Sequence, residues 1–269
     1  QDGSGYGIYA QRYDADGVAQ GGEFLVNSFT TNEQARASVA MDADGDFVVT
    51  WYSAYQDGSY TGVYAQRYNS AGVPQGGEFL VNTTTEGRQQ YAVVASDDAG
   101  NFVVAWYEDD TNGIMNVKAQ RYDANGAPQG SEFIVNTTTS GYHLFPAIAM
   151  DSDGDFIVVW RAFNFDQFDY DVFAQRYFAD GTMNGEEFQV NVTDAGDQTD
   201  PAVTLRDDGT AIVTFTSYDG SSNGIFLQTF STSSAPTVTA EAISVSGASG
   251  TGGAFRIGDT VTVTRDDTV

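Results

Sequence analysis

The chain has no cysteine, one histidine (His143) and one lysine (Lys118) in 269 residues. Without cysteine there are no disulfides and no thiolate metal sites. A single histidine leaves a Ser-His-Asp triad only one candidate base, and no G-x-S-x-G signature accompanies it. Positive charge is equally scarce: 11 Lys+Arg stand against 37 Asp+Glu, a formal net charge of −26. Such a surface repels phosphate backbones and anionic lipid, which argues against nucleic-acid or membrane binding through a basic patch and makes cations natural partners. No segment approaches the roughly 18 apolar residues of a membrane-spanning helix. No Gly-rich phosphate loop, zinc spacing or amphipathic helical stretch occurs. With 41% hydrophobic and 13% aromatic residues, the chain nevertheless has ample material for a core.

The sequence repeats itself. IYAQRYDADG from Ile8 returns as VYAQRYNSAG from Val63, VKAQRYDANG from Val117 and VFAQRYFADG from Val172, with a degraded copy, IFLQTFSTSS, from Ile225. A period of about 54 residues with β-type composition points to a propeller or a related repeat array. Each period holds four β-prone runs ended by Gly, Asn or Asp; in one copy they are 38–41, 46–51, 62–68 and 78–81. The second run alternates, with Phe47, Val49 and Trp51 on one face. Trp51, Trp106 and Trp160 share a repeat position that Phe215 fills in the last copy, so they read as core.

The predicted fold is therefore all-β: a propeller-like array of four-stranded antiparallel blades over residues 1–230. The blades fall at 6–27 (partial), 37–82, 92–136, 147–191 and 201–230 (partial, lacking a fourth strand). A solenoid or a row of separate sandwiches has the same period. Residues 231–236 read as a linker, and 237–269 as the opening strands of an immunoglobulin- or cadherin-like module too short to close a sandwich. Both ends look truncated. Arg12, Arg67, Arg121 and Arg176 are each followed about eleven residues later by Glu23, Glu78, Glu132 and Glu187, a pattern that predicts cross-strand ion pairs within each repeat. The sequons at Asn82, Asn136 and Asn191 share one repeat position and read as strand-end turns.

Two faces offer candidate sites. The first hairpin of each repeat turns on aspartates, and Asp42, Asp44, Asp46 and Asp151, Asp153, Asp155 are candidate Ca2+ ligands: alternate carboxylates around a glycine can place oxygens about 2.4 Å from one hard cation. Tight hairpins also favour Asp and Gly for their backbone angles. On the opposite face, the second-to-third-strand loops and the inter-blade segments vary most. Tyr55, Tyr60, Arg88, Tyr91, Tyr142, His143, Phe163, Phe165, Asp166, Phe168, Asp169 and Tyr170 form a candidate ligand-binding set, and the inter-blade segments also carry Arg36, Gln89 and Phe145. Aromatic rings there stack on sugars and carboxylates accept hydroxyl hydrogen bonds, although the same rings also serve to pack loops against neighbouring blades.

Taken together, YAQRYDADG, GGEFLVNTTT and DGDFVVTW resemble the repeats of very large secreted bacterial surface proteins, the hemolysin-type, cadherin-containing, calcium-associated adhesins. The resemblance covers residues 1–230 and implies an extracellular or cell-surface location. The leading expectation is a non-enzymatic adhesion or ligand-binding module that presents the variable loops to carbohydrate or a surface protein, with Ca2+ as a stiffening cofactor. The alternatives are a propeller glycosidase or polysaccharide lyase using loop carboxylates, and a purely structural spacer.

Overall fold

Alternating apolar residues between Gly- and Asp-rich turns leave the chain little choice but strands, and the computed structural model contains no helix among the residues it describes. Those residues are 3–109, 113–165, 167–192, 196–218, 222–231 and 239–241. Strands β1 (Tyr9–Tyr13) and β2 (Ala19–Leu25) form a two-stranded antiparallel sheet. Next come β3 (Gln34–Met41), β4 (Phe47–Ala54), β5 (Thr61–Tyr68) and β6 (Phe79–Leu80). The pattern returns as β7 (Arg88–Ser96), β8 (Phe102–Asp109), β9 (Met115–Tyr122) and β10 (Phe133–Ile134). It returns again as β11 (His143–Met150), β12 (Phe156–Asn164), β13 (Asp169–Tyr177) and β14 (Phe188–Gln189). The last group is β15 (Thr199–Leu205), β16 (Ala211–Tyr218), β17 (Asn223–Phe230) and β18 (Thr239–Glu241).

Within each group neighbouring strands pair antiparallel in chain order. One parallel bridge, Thr61 to Arg88, joins the β3–β6 and β7–β10 groups into a single sheet. Equivalent backbone links tie Tyr6 to Gln34, Met115 to Gly141 and Tyr142, and Tyr170 to Gln198. The fourth-strand position of the last group, expected to be empty, is taken by Thr239–Glu241, which pairs with β17. The remainder of the expected cadherin-like segment lies outside the described residues.

Successive sheets pack face to face. Trp51, Trp106 and Trp160 are fully buried, as their repeat position required, and Phe215 replaces them in the last sheet at 4% exposure. Trp106 sits with Val48, Val63, Val94 and Tyr122; Trp160 sits with Val103, Val117 and Phe156. Each core thus draws on two adjacent repeats, so no sheet buries its apolar face alone.

Charged side chains lock the sheets together in a way the sequence pattern did not indicate. The expected Arg–Glu ion pairs do not form among the described residues. Each arginine instead reaches into the following repeat: Arg12 donates to the Ser70 carbonyl at 2.7 Å, Arg67 to Asn125, Arg121 to Asp180, and Arg176 to Gly209 at 3.0 Å. Gly126, at φ +80°, leaves room for this: a Cβ there would lie 2.9 Å from Arg67 Nη1. The glutamates point the other way. Glu78 accepts the backbone N–H of Ser28, Glu132 that of Thr83 and Glu187 that of Thr137, at 2.5–2.6 Å. Backbone groups left over at turns are better partners than a side chain already served by its own neighbour. The sequon asparagines Asn82, Asn136 and Asn191 are 2–4% exposed and accept the N–H of Val63, Val117 and Val172.

Candidate functional site

The first strand of every complete group carries the same irregularity. Register slips between Ala35 and Ser38, Gln90 and Val93, Leu144 and Ala147, and Thr199 and Ala202. At each bulge one non-glycine residue is forced into the left-handed region: Arg36 (φ 59°), Tyr91 (φ 53°), Phe145 (φ 52°) and Asp200 (φ 52°). Such backbone strain costs about 1–2 kcal/mol per residue and concentrates where function over-determines the chain. A β-bulge also re-aims the side chain it carries. These four residues, from four different repeats, line one cavity of about 400 Å³, floored by Ala37, Ser38, Ala92, Val93, Pro146 and Pro201. That volume lies within the range of small-ligand sites.

The repeat holds this position constant in backbone and varies it in chemistry: a guanidinium, a phenol, a benzyl ring and a carboxylate. A connected aromatic system surrounds it. Tyr91 stacks on Tyr107 at 5.5 Å and meets Phe145 edge-on at 4.4 Å. The Arg36 guanidinium lies 4.8 Å from the Tyr91 ring centre, and that of Arg161 lies 4.1 Å from Phe145 and 4.5 Å from Tyr170. Tyr170 meets Phe163, which in turn contacts Phe165 and Tyr142. Burial pushes the Tyr107 phenol up to about 12, with Tyr91 and Asp109 adding to the rise and Arg88 and Arg161 opposing it. Tyr52 is likewise raised to about 12, first by burial and then by its 2.9 Å hydrogen bond to Glu33. Both phenols stay protonated donors at neutral pH.

The structure sorts the sequence candidates. It gathers Tyr91, Tyr142, Phe163, Phe165 and Tyr170 into this aromatic system, while Arg88 stacks on Tyr60 at 5.5 Å and Tyr60 contacts Tyr55. Phe168 is 78% exposed, and Asp169 is buried at the start of β13 rather than presented in a loop. Asp166 lies outside the described residues. His143 is 3% exposed, with Nδ1 3.1 Å from the Met115 carbonyl; it fills the repeat position held elsewhere by the buried Gln34, Gln89 and Gln198 and lines a separate cavity with Phe163 and Phe165. Burial lowers its pKa. The segments read as inter-blade loops are the opening halves of β3, β7 and β11, because a bulge interrupts the period-2 alternation by which a strand is recognised. Arg161, Tyr107 and Asp200 were missed, although the four-way variation at 36, 91, 145 and 200 within an otherwise regular repeat was the available signal.

At the other end of the first strands, Asp42 Oδ1 accepts the backbone N–H groups of Asp44 and Asp46, and Asp151 Oδ1 those of Asp153 and Asp155. The third aspartates reach onward: Asp46 accepts Ser70 N–H at 2.8 Å and Asp155 accepts Ala179 N–H at 2.9 Å. These carboxylates organise turns and dock the next hairpin. Among the described residues no three His, Asp or Glu side chains converge as a metal cluster.

No protein-family model matches the chain, and no curated protein matches it. Solved structures do. A protein of unknown function from Dyadobacter fermentans aligns at 10% identity over 84% of this chain and 68% of its own, with a TM-score of 0.58. An α-L-arabinanase from Penicillium chrysogenum, solved with arabinobiose, aligns at 11% identity over 76% of this chain with a TM-score of 0.52. A Hadza microbial sialidase aligns at 12% over 83% with a TM-score of 0.52. The chain spans 65% and 49% of those two enzymes' lengths. The fold is all-β and β-propeller-like. The expected non-enzymatic adhesion module is corrected by this result: the architecture is one shared with glycosidases, and the glycosidase alternative fits it better.

Proposed function

We propose that the protein cleaves glycosidic bonds in a polysaccharide, each four-stranded sheet acting as one propeller blade and the cavity between the first strands as the active site. The observation that carries this reading is the repeated bulge. It places four chemically different side chains, Arg36, Tyr91, Phe145 and Asp200, on one cavity at the cost of four strained backbones. A spacer or a purely structural repeat gains nothing from such strain.

In this reading Tyr91 and Phe145, which line the cavity, provide aromatic contacts to the sugar. Asp200, exposed on the cavity, is the first candidate for acid–base or nucleophilic work, and Glu33, held by Tyr52, is a candidate second carboxylate. The arabinanase and sialidase that share the fold act on glycans, which supports the same class of substrate here. An extracellular location suits such a substrate. The test is release of reducing ends from arabinan, arabinoxylan, pectin and sialylated glycans by the wild type and by Asp200→Asn. The wild type should release product from at least one of them, and Asp200→Asn should lower the rate by roughly a hundredfold or more, the scale of a lost acid–base group. No release from any of them would sink the reading.

A further inference from the structure

Six of the nine basic residues among the described residues are committed, Arg256 and Arg265 lying outside them. Arg12, Arg67, Arg121 and Arg176 bind carbonyls of neighbouring repeats. Lys118 lies between Glu108 and Glu132, and Arg206 pairs with Asp208. Arg36, Arg88 and Arg161 remain. Among the described residues none of these three makes an ion pair or a hydrogen bond to protein, and all three share one face, each lying over an aromatic ring. Arg161 is held between Phe145 and Tyr170 with its Nε buried and unpartnered.

In a chain of net charge −26, three guanidinium groups without carboxylates are conspicuous, because acidic partners are abundant. Acidic side chains are close at hand: Asp109 lies opposite Arg88 in the β7–β8 register, and Asp200 shares the cavity with Arg36. None comes within ion-pair distance among the described residues. Stacking fixes the plane of a guanidinium while leaving its N–H edges free, and that edge matches a carboxylate in a two-pronged contact. Neutral sugar hydroxyls need no such groups; the rings and Asp200 would serve them.

We propose that the cavity takes a carboxylate-bearing sugar, a uronic or sialic acid unit. The sugar ring lies against Tyr91 and Phe145, its carboxylate sits on Arg36, which lines the cavity, and reaches Arg161, which lies outside the lining against the cavity's Phe145 wall, and Arg88 flanks the approach. This names the substrate class of the glycosidase site proposed above and rests on that reading. The surrounding negative charge disfavours long phosphate polymers, whose many charges would meet it. A single carboxylate meets mainly the local guanidinium groups.

The experiment is calorimetric titration with trigalacturonate, its methyl ester, sialyllactose, arabinotriose and a short single-stranded oligonucleotide. It uses the wild type and Arg161→Met, Arg36→Met and Arg206→Met, each checked for folding by thermal melting. Trigalacturonate or sialyllactose should bind, and which of them binds separates the two kinds of acid sugar. The methyl ester and arabinotriose should bind at least tenfold more weakly. Arg161→Met and Arg36→Met should each weaken acid-sugar binding by about 10- to 100-fold, the equivalent of one hydrogen bond to a charged group. Arg206→Met, on the opposite face, should change nothing. Equal binding of the ester, tighter binding of arabinotriose or the oligonucleotide, folded arginine variants with unchanged affinity, or no acid-sugar binding would each overturn the proposal. The two readings fail separately. Arginine-independent cleavage of neutral arabinan would overturn the acid-sugar inference and keep the glycosidase. Arginine-dependent binding of an acid sugar found among the products of no reaction would do the reverse.

Discussion

Glu78 Oε2 accepts the backbone N–H of Ser28 at 2.6 Å, across the boundary between two repeats. Its sequence partner Arg67 reaches across the opposite boundary to Asn125. The two side chains that travel together in the repeat therefore never act on each other, and the pair works as a clasp with one hook on each side. A double-mutant cycle on Arg67→Ala and Glu78→Ala should return a coupling below about 0.5 kcal/mol, as for independent sites. Each single change should cost about 1.5–3 kcal/mol by leaving a charged hydrogen bond unmade. A coupling well above that limit would restore the ion-pair reading.

The clasp also explains why Gly126 closes its turn. Gly126→Ala must push Arg67 aside while holding an alanine at φ +80°. Urea titration should show a loss of about 1–3 kcal/mol, combining left-handed strain with the displaced hydrogen bond.

Lys118 Nζ lies 2.9 Å from Glu108 and 3.0 Å from Glu132, with all three side chains nearly buried. Burial raises the Glu108 pKa despite the lysine, whereas the Thr83 N–H and Lys118 outweigh burial at Glu132 and lower it. Lys118→Met leaves two carboxylates facing each other and should cost about 3–5 kcal/mol. The double change Glu108→Ser with Lys118→Tyr installs the Ser53 and Tyr64 of the preceding repeat and should recover most of that loss in the same melt.

Burial holds the His143 pKa below its ordinary value, so the unfolded chain takes up this proton at a higher pH than the folded one does. Its contribution to stability is therefore full above pH 6.5 and declines as pH falls below it. His143→Gln, which restores the residue of the other repeats, should flatten the melting temperature between pH 7.5 and 5. A difference of about 1 kcal/mol would appear as roughly 2–4 °C in the wild-type drop that the variant lacks.

Phe168 is in the left-handed region at φ 59° and is largely exposed, so Phe168→Gly should raise stability by about 0.5–1 kcal/mol once glycine's unfolded-state entropy offsets part of the relieved strain. Arg36→Gly relieves the same strain but forfeits the stacking on Tyr91, and should show little net change. The two melts together test whether the cavity residue is held by its neighbours.

Much of this molecule follows from its sequence. The 54-residue period, the strand alternation and the tryptophan position set an all-β repeat with a shared core, because each depends only on spacing and apolar character along the chain. The Asp turns and sequon asparagines were equally legible, since they bond to backbone a few residues away or at a constant offset. Only the tertiary structure decided where Arg67 and Glu78 point, that His143 is buried, and that Arg36, Tyr91, Phe145 and Asp200 meet. Those residues are about 55 positions apart, and a bulge in each strand breaks the alternation that would reveal their direction. Their meeting depends on how four repeats pack side by side, which local periodicity does not encode.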